Sequence, residues 1–251
     1  MINSNAISLY EPINQLKTVG DNIWIVDAPV VQMSIFAGIY LPFPTRMTII
    51  RLKNDDLWIH SPTLLTDNLK EEIDQLGQVR HLISPNKLHY THIPYWAKVY
   101  PDAISWASWG VEKRAKQNHI PIKFEKKLED SVPWQQEIKQ HHLRGNFLEE
   151  VLFFHPLSKT LILTDLIENF ELHKVSKWLH IPFKLAGNAD PDGKMPLDLR
   201  FTFFGHKARL NKALEQMLMW NPESIIIAHG RWYQQNGSAE LKRAFRWLKN
   251  F

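Results

Sequence analysis

Cysteine is absent from the 251-residue sequence. Its absence excludes disulfides, thiolate nucleophiles and cysteine metal sites together, so a transition-metal site must use histidine, aspartate or glutamate. The chain also lacks a run approaching the ~18–20 apolar residues of a membrane span. The charged region and long apolar core of a signal peptide are missing from its N-terminus. We therefore predict a cytoplasmic protein that does not associate with membranes.

Charge is balanced and scattered. Lys and Arg total 30 against 26 Asp and Glu, which gives a formal net charge of +4. The densest basic group, Lys123 to Lys127, is interrupted by Glu125. A nucleic-acid-binding surface would cluster its cations, so the pattern disfavours that class. A glycine-rich phosphate loop and a serine nucleophile elbow of the usual forms are also missing.

Three apolar runs lead to side chains that can bind a metal. Thr160–Asp165 stops at Asp165, Ser224–Gly230 carries His229 near its end, and Val79–Ser84 leads into a loop with His89 and His92. Short continuous apolar runs are typical of strands buried on both faces. Ligands of layered α/β proteins collect at the carboxyl ends of such strands. The sequence therefore predicts a site at these strand ends.

Periodicity and turn residues predict the other elements. The strands are Ile23–Val26, Met47–Leu52, Leu57–His60, Ala103–Ala107, Ile138–His142 and Glu150–His155. The helices are Thr66–Leu76, Tyr90–Tyr100 from about Pro94, Gly110–Asn118, Glu171–His180, Lys207–Trp220 and one around Leu241–Leu248. Pro29–Pro44 and Pro182–Pro196 are predicted to be loops.

The two halves repeat one order of elements, with no linker-like stretch between them. This order predicts a single domain over residues 1–251, with 1–18 as an N-terminal extension. The predicted fold class is α/β, a four-layer αββα sandwich of two mixed sheets flanked by helices.

The order of elements and the strand ends resemble the metallo-β-lactamase-like superfamily, and more closely an uncharacterised bacterial branch of it. The resemblance covers about Val19 to His229. It is carried by Pro44-Thr-Arg-Met-Thr-Ile-Ile-Arg51, Leu57-Trp-Ile-His-Ser-Pro62, Ser84-Pro-Asn-Lys-Leu-His89, Leu161-Ile-Leu-Thr-Asp165 and Ile227-Ala-His-Gly230.

The usual metal signature of that superfamily, His-x-His-x-Asp-His, is degenerate here. Pro85 and Lys87 stand at its first two histidines, and His89 and Tyr90 at its Asp-His pair. The further histidine expected near Leu143–Glu149 is also missing. The resemblance thus implies that one metal position is lost, and that a second survives as His89, Asp165 and His229.

Two histidines and one carboxylate are a sufficient ligand set for one divalent Zn, Fe or Mn with open positions for water. We therefore predict a metal-dependent hydrolase of a small, anionic molecule. His60 and His92 are further candidate ligands, and Arg46 is the candidate substrate-binding residue because guanidinium grips carboxylate or phosphate in a bidentate way.

Other readings stay open at this stage. Lys87 could neutralise Asp165 and make a metal unnecessary, which would leave a binding protein that keeps the fold. The same ligand set suits iron-dependent oxygen chemistry, and nucleic-acid processing is a third alternative. Asp165 as a helix cap and Arg46 in a structural salt bridge are the structural alternatives. The oligomeric state is not encoded in any pattern we find.

Overall fold

The computed structural model of the protein describes residues 6–36 and 39–248, with side chains described outside residues 32–42. Strands of the first sheet follow chain order: β1 (Lys17–Gly20), β2 (Ile23–Phe36), β3 (Ile39–Arg51), β4 (Asp56–His60), β5 (Gln78–Ser84), β6 (Ile104–Ala107) and β7 (Lys126–Lys127). The first four pair antiparallel, and β4 to β7 pair parallel.

The second sheet has the order β11-β10-β9-β8. Its strands are β8 (Lys139–Arg144), β9 (Glu149–His155), β10 (Thr160–Ile162) and β11 (Ser224–Ile226). Only β10 and β11 pair parallel, so their carboxyl ends lie at one edge. Each sheet thus contains neighbouring parallel strands, whose carboxyl ends are where ligands usually bind.

The helices are α1 (Asp67–Asp74), α2 (Ile93–Val99), α3 (Val111–Gln117), α4 (His180–Ala186), α5 (Leu197–Phe201), α6 (Lys207–Trp220) and α7 (Gly237–Phe245). The part of the chain that the structure describes has no helix long and apolar enough to cross a membrane. Local sequence explains the best-defined helices. Thr66 Oγ1 accepts a hydrogen bond from the Leu69 amide at the start of α1, and α6 ends at Asn221 in the left-handed conformation.

Three apolar layers hold the sandwich together. The central layer joins both sheets, with Trp58 and Trp106 of the first against Phe153 and Ile226 of the second. Trp134 fills the space between the rings, 4.8 Å from Trp106 and 6.1 Å from Trp58. The outer layers pack α1, α2 and α3 on the first sheet and α6 and α7 on the second. The predicted four-layer αββα sandwich is confirmed.

The structure differs from prediction in the first hairpin. Pro29–Pro44 is not a loop, because β2 and β3 run through it as paired strands. The register shifts between Ala28 and Val31, and Pro29 lies in that bulge. A bulge tolerates a residue without an amide hydrogen, so Pro29 interrupts the pairing without ending the strand.

The second difference lies in the segment between β10 and α6. The helix predicted over Glu171–His180 is wrong: two 3₁₀ turns precede α4, which then occupies the start of the predicted loop Pro182–Pro196. Pro182 lies in the first turn of α4, where a missing amide hydrogen costs no helical hydrogen bond. The short strands β1 and β7 and the short helix α5 were not predicted.

Candidate metal centre

His89, Asp165 and His229 come together at the carboxyl ends of the parallel strands. One ligand atom from each lies within 4.8 Å of the other two. His89 Nε2 is 3.4 Å from Asp165 Oδ2, and His229 Nε2 is 3.2 Å from Asp165 Oδ1. Asp165 follows β10 and His229 follows β11, while the loop after β5 carries His89. The side chains predicted to form a site do meet.

Each imidazole is oriented by a partner on its other nitrogen. His229 Nδ1 donates to the Pro44 carbonyl at 2.9 Å, and His89 Nδ1 is 2.6 Å from Ser61 Oγ. A second partner of this kind fixes the ring and its tautomer in metal-binding histidines. Both Nε2 atoms therefore face Asp165.

Asp165 is only 1 % exposed and is held by its neighbours. Asn86 Nδ2 donates to Asp165 Oδ2 at 2.5 Å, and the amides of Thr164 and Asp165 donate to the carboxylate of Glu150 at 2.7 and 3.0 Å. Burial alone would raise the pKa of Asp165, but His89 and His229 outweigh it and lower the pKa. Asp165 is therefore an anion that requires a neighbouring cation.

The neighbouring cation is either an imidazolium, formed when one of the two histidines takes up a proton, or a metal ion. Within the described part of the chain, the fully buried His229 Nε2 has no partner of good hydrogen-bond geometry, although Asp165 Oδ1 is only 3.2 Å away. Burial would lower the pKa of His229, whereas Asp165 raises it. An orphaned buried nitrogen facing a carboxylate is the chemistry of a divalent metal site as well as of a protonated pair. The residues present fit one metal ion.

Two buried glutamates near the centre, Glu150 and Glu168, were not predicted from the sequence. Burial, with Asp165 nearby, raises the pKa of Glu150 to about 8. Burial also raises the pKa of Glu168 to about 7, and its carboxylate accepts from Asn188 Nδ2 at 2.8 Å. A usable signal existed: Glu150 stands inside a strand buried on both faces, where an acidic residue needs a specific partner.

His60 and His92 do not join the ligand group. His60 is fully buried and stacks on Trp58 at 5.4 Å, and burial lowers its pKa to about 3. His92 lies instead in the wall of a cavity of about 550 Å³ that opens beside His89 and His229. The cavity is the natural place for a ligand of the centre.

Arg46 is buried beside the centre. Its Nη1 donates to the carbonyls of Ile227 and Gly230 at 2.6 and 3.0 Å, and its Nη2 is 2.6 Å from Asp27 Oδ1. Arg46 is only 3 % exposed, and these contacts occupy two of its three guanidinium nitrogens. They position the loop that carries His229, and a role in binding substrate stays a prediction.

Lys87 does not neutralise Asp165. Its ammonium lies over the rings of Phe147 and Trp109, 4.4 and 5.0 Å from their centroids. The described ion-pair partners of Asp165 are His89 and His229 alone. The sequence argument that Lys87 removes the need for a metal is therefore wrong.

A second group of candidate ligands, Glu129, His142 and Glu149, lies apart from the centre. His142 Nδ1 is 3.3 Å from Glu149 Oε1, and Arg144 Nε is 3.8 Å from Glu149 Oε2. Glu149 is thus already balanced by a basic partner, and Glu129 is exposed. The first centre is the better candidate.

Solved structures with this fold include several metallo-β-lactamases and an oxidoreductase. The DIM-1 metallo-β-lactamase is 15 % identical over 96 % of this chain and 97 % of its own, with a TM-score of 0.63. The mono-zinc form of the FIM-1 metallo-β-lactamase from Pseudomonas aeruginosa is 13 % identical over 98 % and 99 %, with a TM-score of 0.59. Rubredoxin oxygen:oxidoreductase from Desulfovibrio gigas is 12 % identical over 94 % of this chain and 62 % of its own, with a TM-score of 0.60.

Such low identities establish the fold alone. No characterised protein matches the sequence. The profile of one family, "Domain of unknown function (DUF4336)", matches residues 20–188. The chain therefore belongs to the DUF4336 family, and its fold is that of the metallo-β-lactamases.

Proposed function

We propose that the protein is a metal-dependent hydrolase with a single metal site formed by His89, Asp165 and His229. One observation carries the proposal. Both imidazoles are tied through Nδ1 to partners within the protein, so that their Nε2 atoms converge on a buried carboxylate. This is the arrangement of oriented histidine ligands.

The ligand set limits which metal ions, and therefore which reactions, fit the site. Two imidazole nitrogens and one carboxylate oxygen suit Zn, Fe or Mn. Bound there, a divalent ion would supply hydroxide near neutral pH, because it lowers the pKa of a coordinated water to about 7. Glu150 holds the Thr164–Asp165 backbone, and Ser61 and Pro44 hold the rings. The chain thus orients the ligands, and the adjoining cavity admits a small substrate.

A binding protein without metal is the alternative. The 3.2 Å separation of His229 Nε2 from Asp165 Oδ1 also suits an imidazolium beside a carboxylate, and the raised pKa of His229 favours the proton there. In that case a proton satisfies the site, and chelators leave stability and ligand affinity unchanged.

Elemental analysis of the purified protein separates the two readings. We expect about one equivalent of Zn, Fe or Mn, as a three-ligand site implies, and its loss in Asp165→Asn and His229→Ala. His173→Ala is the matched control because His173 is an exposed histidine outside the site. Absence of metal from the wild-type protein, even after loading with each ion, would sink the hydrolase proposal. Iron as the bound metal would turn the activity screen toward oxygen chemistry.

A further inference from the structure

The cavity beside the centre is lined by cations without carboxylates. Lys87 and Arg114 contribute an ammonium and a guanidinium to its wall, and His92 and His119 add two imidazoles. Among the described residues that line the cavity, none is aspartate or glutamate. A concave site with charge of one sign concentrates ligands of the opposite sign.

Lys87 is held in place without an anionic partner. Its stem passes over Gly110, where a Cβ would lie 3.5 Å from Lys87 Cε. Its ammonium contacts the faces of Phe147 and Trp109, and the guanidinium of Arg144 lies over the Trp109 ring at 3.6 Å. Cation–π contacts orient an ammonium but leave its charge uncompensated. Lys87 is therefore preorganised, with donors left for a ligand.

The charged groups around Lys87 are also mostly positive. Arg114, Lys113 and Arg144 are the cations that act on Lys87, and Glu149 is the opposing carboxylate. Glu149 is already shared by His142 and Arg144. Within the described part of the chain, neither Lys87 nor Arg114 takes part in an ion pair or a side-chain hydrogen bond. Crowded like charges of this kind are stabilised by an anion.

We propose that Lys87 and Arg114 bind the oxyanion of the substrate, a phosphate or a carboxylate, at the outer part of the cavity, while the bond to be hydrolysed lies at the His89–His229 end. That the ligand is hydrolysed rests on the proposed function. That an oxyanion binds at Lys87 and Arg114 does not, since it needs no metal. Arg46 is not part of this recognition, because Asp27 and two carbonyls hold two of its three nitrogens and it is not among the described residues that line the cavity.

Binding to chelator-treated protein tests the oxyanion site by itself. The probes are phenyl phosphate, phenylacetate and the neutral benzyl alcohol, titrated at low ionic strength by calorimetry or ligand-observed NMR. We expect at least one anion to bind and benzyl alcohol not to bind. Lys87→Gln and Arg114→Gln should each raise the Kd about tenfold, since each removes a charged hydrogen-bond donor. Arg114→Lys should retain part of the affinity.

Lys242→Gln is the matched control, because Lys242 is an exposed lysine of α7 outside the cavity. Tighter binding of phenyl phosphate assigns a phosphate, and tighter binding of phenylacetate assigns a carboxylate. An unchanged Kd in both cavity variants, or equal binding of benzyl alcohol, overturns the proposal. Metal content read on the same preparations before chelator treatment keeps the two proposals apart: anion binding by a protein that holds no metal would contradict only the hydrolase, and metal without anion binding only the oxyanion site.

Discussion

At the residue scale, the candidate centre depends on groups that are not themselves candidate ligands. Ser61 orients His89, and the Pro44 carbonyl orients His229. Ser61 directly follows β4 in the left-handed conformation, with φ of 55°, and its hydroxyl lies 2.6 Å from His89 Nδ1. The ligands are therefore only part of what the sequence must specify.

Ser61→Ala should weaken metal binding without unfolding the protein. The variant removes the partner of His89 Nδ1, and loss of such a partner typically costs 10–100-fold in metal affinity. A competition titration with a fluorescent chelator measures the change. Ser158→Ala is the control, because Ser158 Oγ makes the same kind of contact with His155 Nδ1, at 2.8 Å, away from the centre. Equal affinities for Ser61→Ala and wild type would contradict the assignment of His89 as an oriented ligand.

At the element scale, the ends of strands and helices carry most of the specificity. The Asp165 and His229 strands were predictable because apolar runs stop at single polar residues. That they meet the loop after β5 was predictable from the shared carboxyl ends of the strands. The choice of His89 within that loop came from the resemblance, since a spacing of 76 residues between His89 and Asp165 says nothing by itself about distance. Glu150 and the Pro44 carbonyl were missed because their roles depend on which backbone groups lie opposite them.

Helix α1 offers a test of local capping. Thr66→Ala removes the acceptor for the Leu69 amide and should lower the free energy of unfolding by about 1 kcal/mol. Urea denaturation measures it. Thr66→Ser, which keeps the hydroxyl, should recover most of the loss. Equal destabilisation by both variants would assign the effect to the lost methyl group.

Arg46, on β3 of the first sheet, holds the segment that follows β11 of the second sheet. Arg46→Met leaves Asp27 with Lys17, 2.7 Å away, as its described ion-pair partner. The substitution also removes the hydrogen bonds that Arg46 donates to the carbonyls of Ile227 and Gly230. Removing one partner of a buried pair costs about 3–5 kcal/mol, and we expect roughly 3 kcal/mol here because Lys17 remains. A variant of unchanged stability but weaker substrate binding would instead support the substrate-binding role predicted from sequence.

At the scale of the whole molecule, the sandwich was predictable and its first hairpin was not. Alternating halves with strands, helix, strand and helix indicate two sheets with helices outside. Prolines at positions 29, 42 and 44 are typical of a loop, yet long pairing between β2 and β3 overrides them. Local propensity is a weak guide where tertiary pairing supplies the hydrogen bonds.

Two buried histidines should each destabilise the fold in mild acid. Burial lowers the pKa of His81 to about 4 and that of His155 to about 4, so at these two positions the folded protein binds fewer protons than the unfolded chain, whereas the raised pKa values of Glu150 and Glu168 act in the opposite direction. The contribution of the two histidines is complete above the unfolded pKa near 6.5 and is lost as the pH falls from there toward 4. For His81 alone we expect roughly 2 kcal/mol between pH 7 and 5.

His81→Phe isolates this contribution. The phenyl ring keeps the contacts with Trp134 and Trp106, whose centroids lie 4.9 and 6.0 Å from the imidazole, but it cannot be protonated. Urea denaturation at pH 7 and pH 5 should show that, over this range, the variant loses roughly 2 kcal/mol less stability than the wild type. A pH dependence equal to that of wild type would exclude His81 as a source of the acid sensitivity.

The bonds from Arg46 and Pro44 to the loop of His229 join positions 181 to 185 residues apart. During synthesis on the ribosome, these contacts cannot form until the chain has passed Gly230. The first hairpin must therefore wait for these contacts while more than 180 further residues are added. On the proposed function, uptake of metal would then report completed folding of both halves, because a nascent chain that has not reached His229 presents only two of the three candidate ligands, His89 and Asp165.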